Sequence, residues 1–329
     1  MRSCSLFRLP ATALAGWLLL QCPPPCLASK PFVDEASEPR GIRFLRPSES
    51  NPADQLEHAD DLREAGRLRR AHRQYRALIR YWPNTPEAAQ AHLARARLLE
   101  QRGRWTRSFE QYEQLLESYA GEFDHQEVLE QLFDMAMTLR DHRRAQFLFF
   151  PGFHAPERAL PLLERIVQYG PRWSRAPEAQ LEIGRIQMQL NRPEEAVLAF
   201  ERVQTRYPDS PQAKQAAIEK AYAQYDLFQK YPNDLDGAET AFLSLALFVQ
   251  EHPESEHAER ARERMQEIRR HRAEKEYQKA RYYDRIAREP QAALVVYEQF
   301  LRQFSDSDRA DRVRDRIEVL RAKLEQSDD

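Results

Sequence analysis

Residues 196–208 read Ala196-Val197-Leu198-Ala199-Phe200-Glu201-Arg202-Val203-Gln204-Thr205-Arg206-Tyr207-Pro208. An alanine is followed by a large apolar residue at +4, a second at +7, an aromatic at +11 and a proline at +12. Those offsets share one face of an α-helix, and the proline cannot continue it. The small residue lets a second helix come close, and the large one a turn later fills the space beside that contact.

The same order recurs five times. Ala71 precedes Tyr75, Leu78, Tyr81 and Pro83, and Ser108 precedes Tyr112, Leu115 and Tyr119. Ala159 precedes Leu163, Ile166, Tyr169 and Pro171; Ala241 precedes Leu245, Phe248, His252 and Pro253. Ala293 precedes Tyr297, Phe300 and Phe304, with Ser305 in the place of the proline. Upstream of these, Ala59 with Leu62, Ala96 with Leu99, and Ile183 with Gly184 stand where a preceding helix would pack. The pattern resembles the second helix of a tetratricopeptide repeat. The expected fold is therefore all-α, a tetratricopeptide superhelical solenoid of about six helix pairs.

Successive small residues lie 37, 51, 37, 45 and 52 positions apart, against an ideal repeat of about 34. Extra loops are expected around Pro151-Gly152-Phe153 and Asn233-Asp234-Leu235-Asp236-Gly237. The turns Tyr207-Pro208-Asp209-Ser210, His252-Pro253-Glu254-Ser255 and Phe304-Ser305-Asp306-Ser307 should each stop one helix and cap the next.

Composition narrows the function. The chain has 329 residues, 50 Lys+Arg against 52 Asp+Glu, and only 9 Gly. Scarce glycine speaks against phosphate-cradling loops, and the sequence holds no P-loop, no H-E-x-x-H and no G-x-S-x-G. His252 and His257 are five apart without a cysteine or acidic partner at metal-site spacing. No catalytic, cofactor-binding or metal-binding residues are expected, and the chain reads as a non-enzyme.

The first residues read as an export signal. Arg2 and Arg8 precede an apolar run from Leu9 to Leu20, a proline-rich break, and then Cys26-Leu27-Ala28 before Ser29. Residues 1–28 are expected to be cleaved between Ala28 and Ser29. That cut removes Cys4, Cys22 and Cys26, so the mature chain has no disulfide. Leu19-Leu20-Gln21-Cys22 offers Cys22 as a lipidation position, but Gln21 replaces the small residue such a motif wants, and lipidation is not expected. Residues 29–50 read as a flexible tether, 51–170 as N-terminal repeats and 171–325 as C-terminal repeats. A secreted route with nearly balanced charge argues against a nucleic-acid partner.

Gly237 to Leu324 also resembles the BamD family of outer-membrane assembly lipoproteins. The residues that carry this are Ala238-Glu239-Thr240-Ala241-Phe242, His252-Pro253-Glu254-Ser255, Glu276-Tyr277-Gln278-Lys279-Ala280-Arg281-Tyr282-Tyr283 and Ala292-Ala293-Leu294-Val295-Val296-Tyr297. The resemblance implies a periplasmic scaffold at the inner face of the outer membrane, binding the β-barrel insertase and unfolded outer-membrane proteins. It places Tyr277, Arg281, Tyr282 and Tyr283 in the partner-binding half. Arg260 to Arg288 holds 11 basic and 5 acidic residues, read as a solvated helix face rather than a site for an acidic partner or headgroups. A Tol-associated or cell-division coordinator shares the repeat type and the Tyr-Pro-Asp-Ser turn. A regulatory part of a peptidoglycan-processing enzyme would need a catalytic domain that this sequence leaves no room to build.

Overall fold

In a computed structural model of the chain, described for residues 46–141, 143–147 and 150–328, the helices follow one another as antiparallel pairs. The pairs are α1 (Pro52–Glu64) with α2 (Leu68–Tyr81), α3 (Pro86–Glu100) with α4 (Trp105–Ser118), and α5 (His125–Asp141) with α6 (Leu160–Tyr169). Next come α7 (Ala176–Gln189) with α8 (Pro193–Arg206), α9 (Pro211–Lys230) with α10 (Leu235–Glu251), and α11 (Ala258–Arg281) with α12 (Pro290–Gln303). A last helix, α13 (Ala310–Asp328), lies on α12 and buries Val313, Ile317 and Leu320 there. Each pair packs on its sequence neighbours, so the chain is a tetratricopeptide solenoid.

The six small residues sit at the contacts for which the spacing selected them. Ala71, Ser108, Ala159, Ala196, Ala241 and Ala293 are all 0% exposed. The +4 residues Tyr75, Tyr112, Leu163, Phe200, Leu245 and Tyr297 are buried beside them. Ser108 fits because its hydroxyl donates to the Ala96 carbonyl of the partner helix, at 2.8 Å. Gly184 on α7 faces the Phe200 ring of α8 so closely that an added methyl would collide with it.

The second helices end alike. Trp82, Tyr119, Gly170, Tyr207, His252 and Phe304 each take an extended φ and donate their N–H to the carbonyl of the +7 residue, from Leu78 to Phe300. This corrects the reading at two ends. In the first pair Trp82, not Tyr81, takes the cap, and Tyr81 is left half exposed. In the third pair Gly170 follows Tyr169 into that role. Of the three expected capping serines, Ser210 caps α9 by accepting from the Ala213 N–H at 3.2 Å. Ser255 and Ser307 accept instead from the N–H two residues on and shape the turn before their helix.

The extra residues between repeats are not all loops. After α5 the chain forms an antiparallel hairpin, β1 (Arg143–Phe147) and β2 (Phe150–His154), an addition to the all-α expectation. Proline and glycine at 151 and 152 forbid a helix there, and the aromatics around them suit paired strands. A short 3-10 turn, Pro156–Ala159, then leads into α6. Around Asn233 there is no loop insertion: the Asp234 carboxylate accepts from the Gly237 N–H at 3.0 Å and starts α10 at once. The surplus length goes into α9, which has 20 residues, and α11, which has 24.

At the start of the described chain, the Ser48 and Glu49 N–H groups donate to the Gln55 side chain of α1, which is 0% exposed. The end of the expected tether is thus held against the first helix. Cys4, Cys22, Cys26, Ala28 and Ser29 lie outside the described residues.

Two substitutions on α8 separate contact from surface. Ala196→Trp should cost about 1–3 kcal/mol by overfilling the helix junction. Leu198→Trp, on the same helix at a site 54% exposed, should leave the urea midpoint nearly unchanged. Equal midpoint shifts would mean that position 196 is not the closest approach.

Candidate partner-binding site

The C-terminal candidates lie where α11 gives way to α12. The helix does not run on through the tyrosines: α11 ends at Arg281, and Tyr282–Ala287 form a single wider π-helical turn. Such turns are rare and recur at functional positions. This one closes on Arg288, in the left-handed region at φ 59°, and the Tyr283 carbonyl accepts from the Glu289 N–H at 2.9 Å.

Asp284 pins the turn from inside. Its side chain is 3% exposed and accepts two hydrogen bonds from Arg316 of α13, at 2.7 and 2.9 Å. The Tyr297 hydroxyl donates to it at 3.4 Å. Arg316 holds the Asp284 carboxyl below the usual carboxylate range. With Asp284 turned in, Tyr282 and Ile286 turn out, 52% and 71% exposed.

The four residues named from sequence therefore divide. Tyr277 is half-buried, its ring 6.4 Å from Tyr297 and 6.2 Å from Phe300, with the Arg309 guanidinium 5.1 Å from its centroid. Tyr283 also packs partly on the last core cluster. Arg281 and Tyr282 face solvent, and the Tyr282 ring meets Tyr283 edge-on at 5.8 Å. Ile286 was missed by the sequence reading. Its signal was there: an isoleucine four residues after Tyr282 in a charged stretch is a second apolar residue on the same outer side.

Beside this turn, the basic stretch from Arg260 is largely engaged by its neighbours. Arg264 lies over Tyr222 at 4.0 Å and Tyr225 at 4.6 Å. Arg262 pairs with Glu259, Arg269 with Asp306, Arg272 with Glu239 and Lys279 with Glu276. Among the described residues Arg270, Arg285 and Arg288 make no ion pair.

Between consecutive first helices the polar side chains are also engaged. Glu182 of α7, 8% exposed in its side chain, accepts from Arg140 of α5 and Arg185 of α7, both at 2.6 Å. Arg185 in turn reaches Glu219 of α9 at 2.7 Å. His252 stands on Phe248 and His257 beside Tyr222, on different partners. Among the described residues, no group of three or more His, Cys, Asp and Glu side chains could hold a metal ion, and no helix is long and apolar enough to cross a membrane.

Comparisons with known proteins bear on this half of the chain. A family model described as outer membrane lipoprotein, YfiO, matches residues 226–326, from the end of α9 through α13. Tetratricopeptide-repeat models match residues 56–123 and 153–218. No curated protein matches the sequence. Among solved structures, YrrB, titled a tetratricopeptide protein with an unusual peptide-binding site, is 16% identical, with 65% of this chain and 92% of that one covered and a TM-score of 0.32. A tetratricopeptide protein from Parabacteroides merdae is 13% identical, covering 82% of this chain and 98% of that one, TM-score 0.31. The P58(IPK) repeat domain is 15% identical over 82% and 77%, TM-score 0.34. The chain carries repeats of the class that mediates protein–protein contacts.

The Asp284 pair gives a pH test. A carboxyl whose folded pKa is lowered contributes stability in full above its unfolded value of about 4, and loses it as pH falls through the lower folded value. Asp284→Asn should cost about 1–3 kcal/mol at neutral pH and flatten the acid limb of the stability profile between those two values. Acid limbs of equal slope would mean that the pair does not hold the turn.

Proposed function

We propose that the protein is a non-catalytic periplasmic scaffold of outer-membrane protein assembly. Its last two helix pairs and α13 bind the β-barrel insertase, unfolded outer-membrane proteins, or both. The observation that carries this reading is the outer membrane lipoprotein match over residues 226–326, the stretch in which Tyr282 and Ile286 stand exposed on a pinned turn. An exposed aromatic and an exposed aliphatic side chain on one pinned turn suit an interface anchor, because little freedom is lost when a partner covers them. In this reading residues 1–28 direct export, and the mature chain begins at Ser29 on the periplasmic side.

The first helices contribute shape more than free charge. Glu182, Arg185 and Glu219 are already paired with one another, so a ligand between α5 and α9 would have to break an ion pair for each one it makes. That favours docking at the C-terminal turn over capture of a charged peptide in mid-groove.

Affinity capture from native envelope extract, with bound proteins identified by mass spectrometry, tests the assignment. The insertase should be recovered with the wild-type chain, and at least about ten-fold less of it with Tyr282→Ala/Ile286→Ala, since central aromatic anchors are worth about 2 kcal/mol or more. Recovery of Tol or cell-wall proteins without the insertase would replace this reading with the coordinator role.

A further inference from the structure

On the fifth helix pair an open apolar surface coincides with a one-sided charge. From Tyr231 to Glu259 the chain holds seven acids and no lysine or arginine, although the whole chain has 50 basic against 52 acidic residues. Inside that stretch, Thr240 to Gln250 carry no charge at all. These are the middle of α10, so about three uncharged helical turns are set between acids on both sides.

The helix is apolar on more than its packing side. Ala238, Ala241, Leu245 and Phe248 are buried, where α10 meets α9 and α11. At about 100° per residue, Leu243 points away from that side and Leu247 lies one turn on beside it. They are 55% and 54% exposed. With Leu235, α10 carries more open large apolar side chains than any other helix among the described residues. Nothing in the repeat demands this. The place of Leu243, two residues after the small one, is taken in the first two pairs by the exposed Arg73 and Glu110. A helix apolar on both sides is one suited to being covered on both.

The acids say what kind of surface covers it. Asp234 caps α10, Glu239 pairs with Arg272, and Glu259 pairs with Arg262. Asp236 before the leucines, and Glu251 and Glu254 after them, are exposed and make no ion pair among the described residues. The outer face is thus an apolar ridge with unpaired negative charge at each end, Asp236 and Glu251 being about 22 Å apart along the axis. Such a face repels anionic lipid and acidic segments. An antiparallel second copy that laid Leu243 on Leu247 would bring Asp236 onto Glu254, like charge on like. The chain's own basic surface fits no better. Residues 67–107 hold eleven arginines against two acids, and α2 and α4 start from Arg67 and Arg104 with no capping side chain. Tyr81 is the one large apolar side chain exposed there among the described residues, too little to cover two leucines.

We propose that the outer face of α10 docks a basic amphipathic helix of a partner protein. The partner's apolar ridge lies along Leu243 and Leu247, and its lysines or arginines, about four turns apart, meet Asp236 at one end and Glu251 and Glu254 at the other. Leucines four residues apart form the kind of row into which a second helix packs its own. The surface uses none of the residues of the Tyr282 turn and stands independently of the assembly role.

The test uses the full chain and two synthetic helical peptides of about 18 residues, long enough for that span. Both carry the same leucine ridge; one has lysines in its first and last turns and the other has glutamates there. Binding is followed by fluorescence anisotropy and by hydrogen exchange. The lysine peptide should bind at least about ten-fold more tightly than the glutamate peptide and slow exchange at residues 240–250, with the preference shrinking as salt is added. Leu243→Ser/Leu247→Ser should bind it at least about ten-fold more weakly while its circular dichroism keeps the wild-type helical signal. Asp236→Asn/Glu251→Gln/Glu254→Gln should no longer tell the two peptides apart. Tyr282→Ala/Ile286→Ala should bind the lysine peptide as the wild-type chain does. Failure of the lysine peptide to bind, equal binding of both peptides by the wild-type chain, or undiminished binding by the leucine variant would overturn the proposal. Self-association of the chain in sedimentation velocity that the leucine variant abolishes would also overturn it, giving the face to a second copy.

Discussion

A side chain no larger than alanine or serine at six buried positions is the constraint on which the rest of the molecule depends. At Ala71, Ser108, Ala159, Ala196, Ala241 and Ala293 no surface is left to water, so any added atom must displace a neighbouring helix. The large residue one turn later then closes the gap, as Phe200 does against Gly184. Because each such contact joins only adjacent helices, stability is close to a sum of neighbouring terms. This is why repeat length can vary so much. α9 and α11 extend well beyond the ideal helix, and a hairpin interrupts the third pair, without disturbing the contact on either side.

Charge is distributed along the solenoid less evenly than its near-zero total suggests. In the middle, Arg140, Glu182, Arg185 and Glu219 satisfy one another across three first helices. At the C-terminal end Arg316 holds Asp284, and most cations of α11 are stacked or paired. At the N-terminal end the arginines stand uncompensated at two helix starts. The two ends are thus suited to different surfaces: a pinned apolar pair at one, a field of free guanidinium groups at the other.

Sequence spacing made the helical faces legible because small and large residues at +0, +4 and +7 report directly on which side of a helix is buried. Features that depend on distant partners were not legible. The π-helical turn at Tyr282 rests on Asp284 meeting Arg316, 32 positions away, and without that pairing the stretch reads as more α-helix. Ile286 becomes prominent only once the turn is known. The hairpin could be foreseen as an interruption at Pro151-Gly152, but periodicity calibrated for helices does not report strand pairing.

The contact between Gly184 and Phe200 offers the most direct test of the account. A double-mutant cycle would measure unfolding free energies for Gly184→Ala, Phe200→Leu and the pair. If close approach through a small residue holds the helix pairs, the methyl added at 184 is costly beside phenylalanine and much less so beside leucine, and the cycle shows a coupling of about 1 kcal/mol or more. Strictly additive costs would contradict the account, because two side chains that do not constrain each other cannot be what sets the distance between their helices.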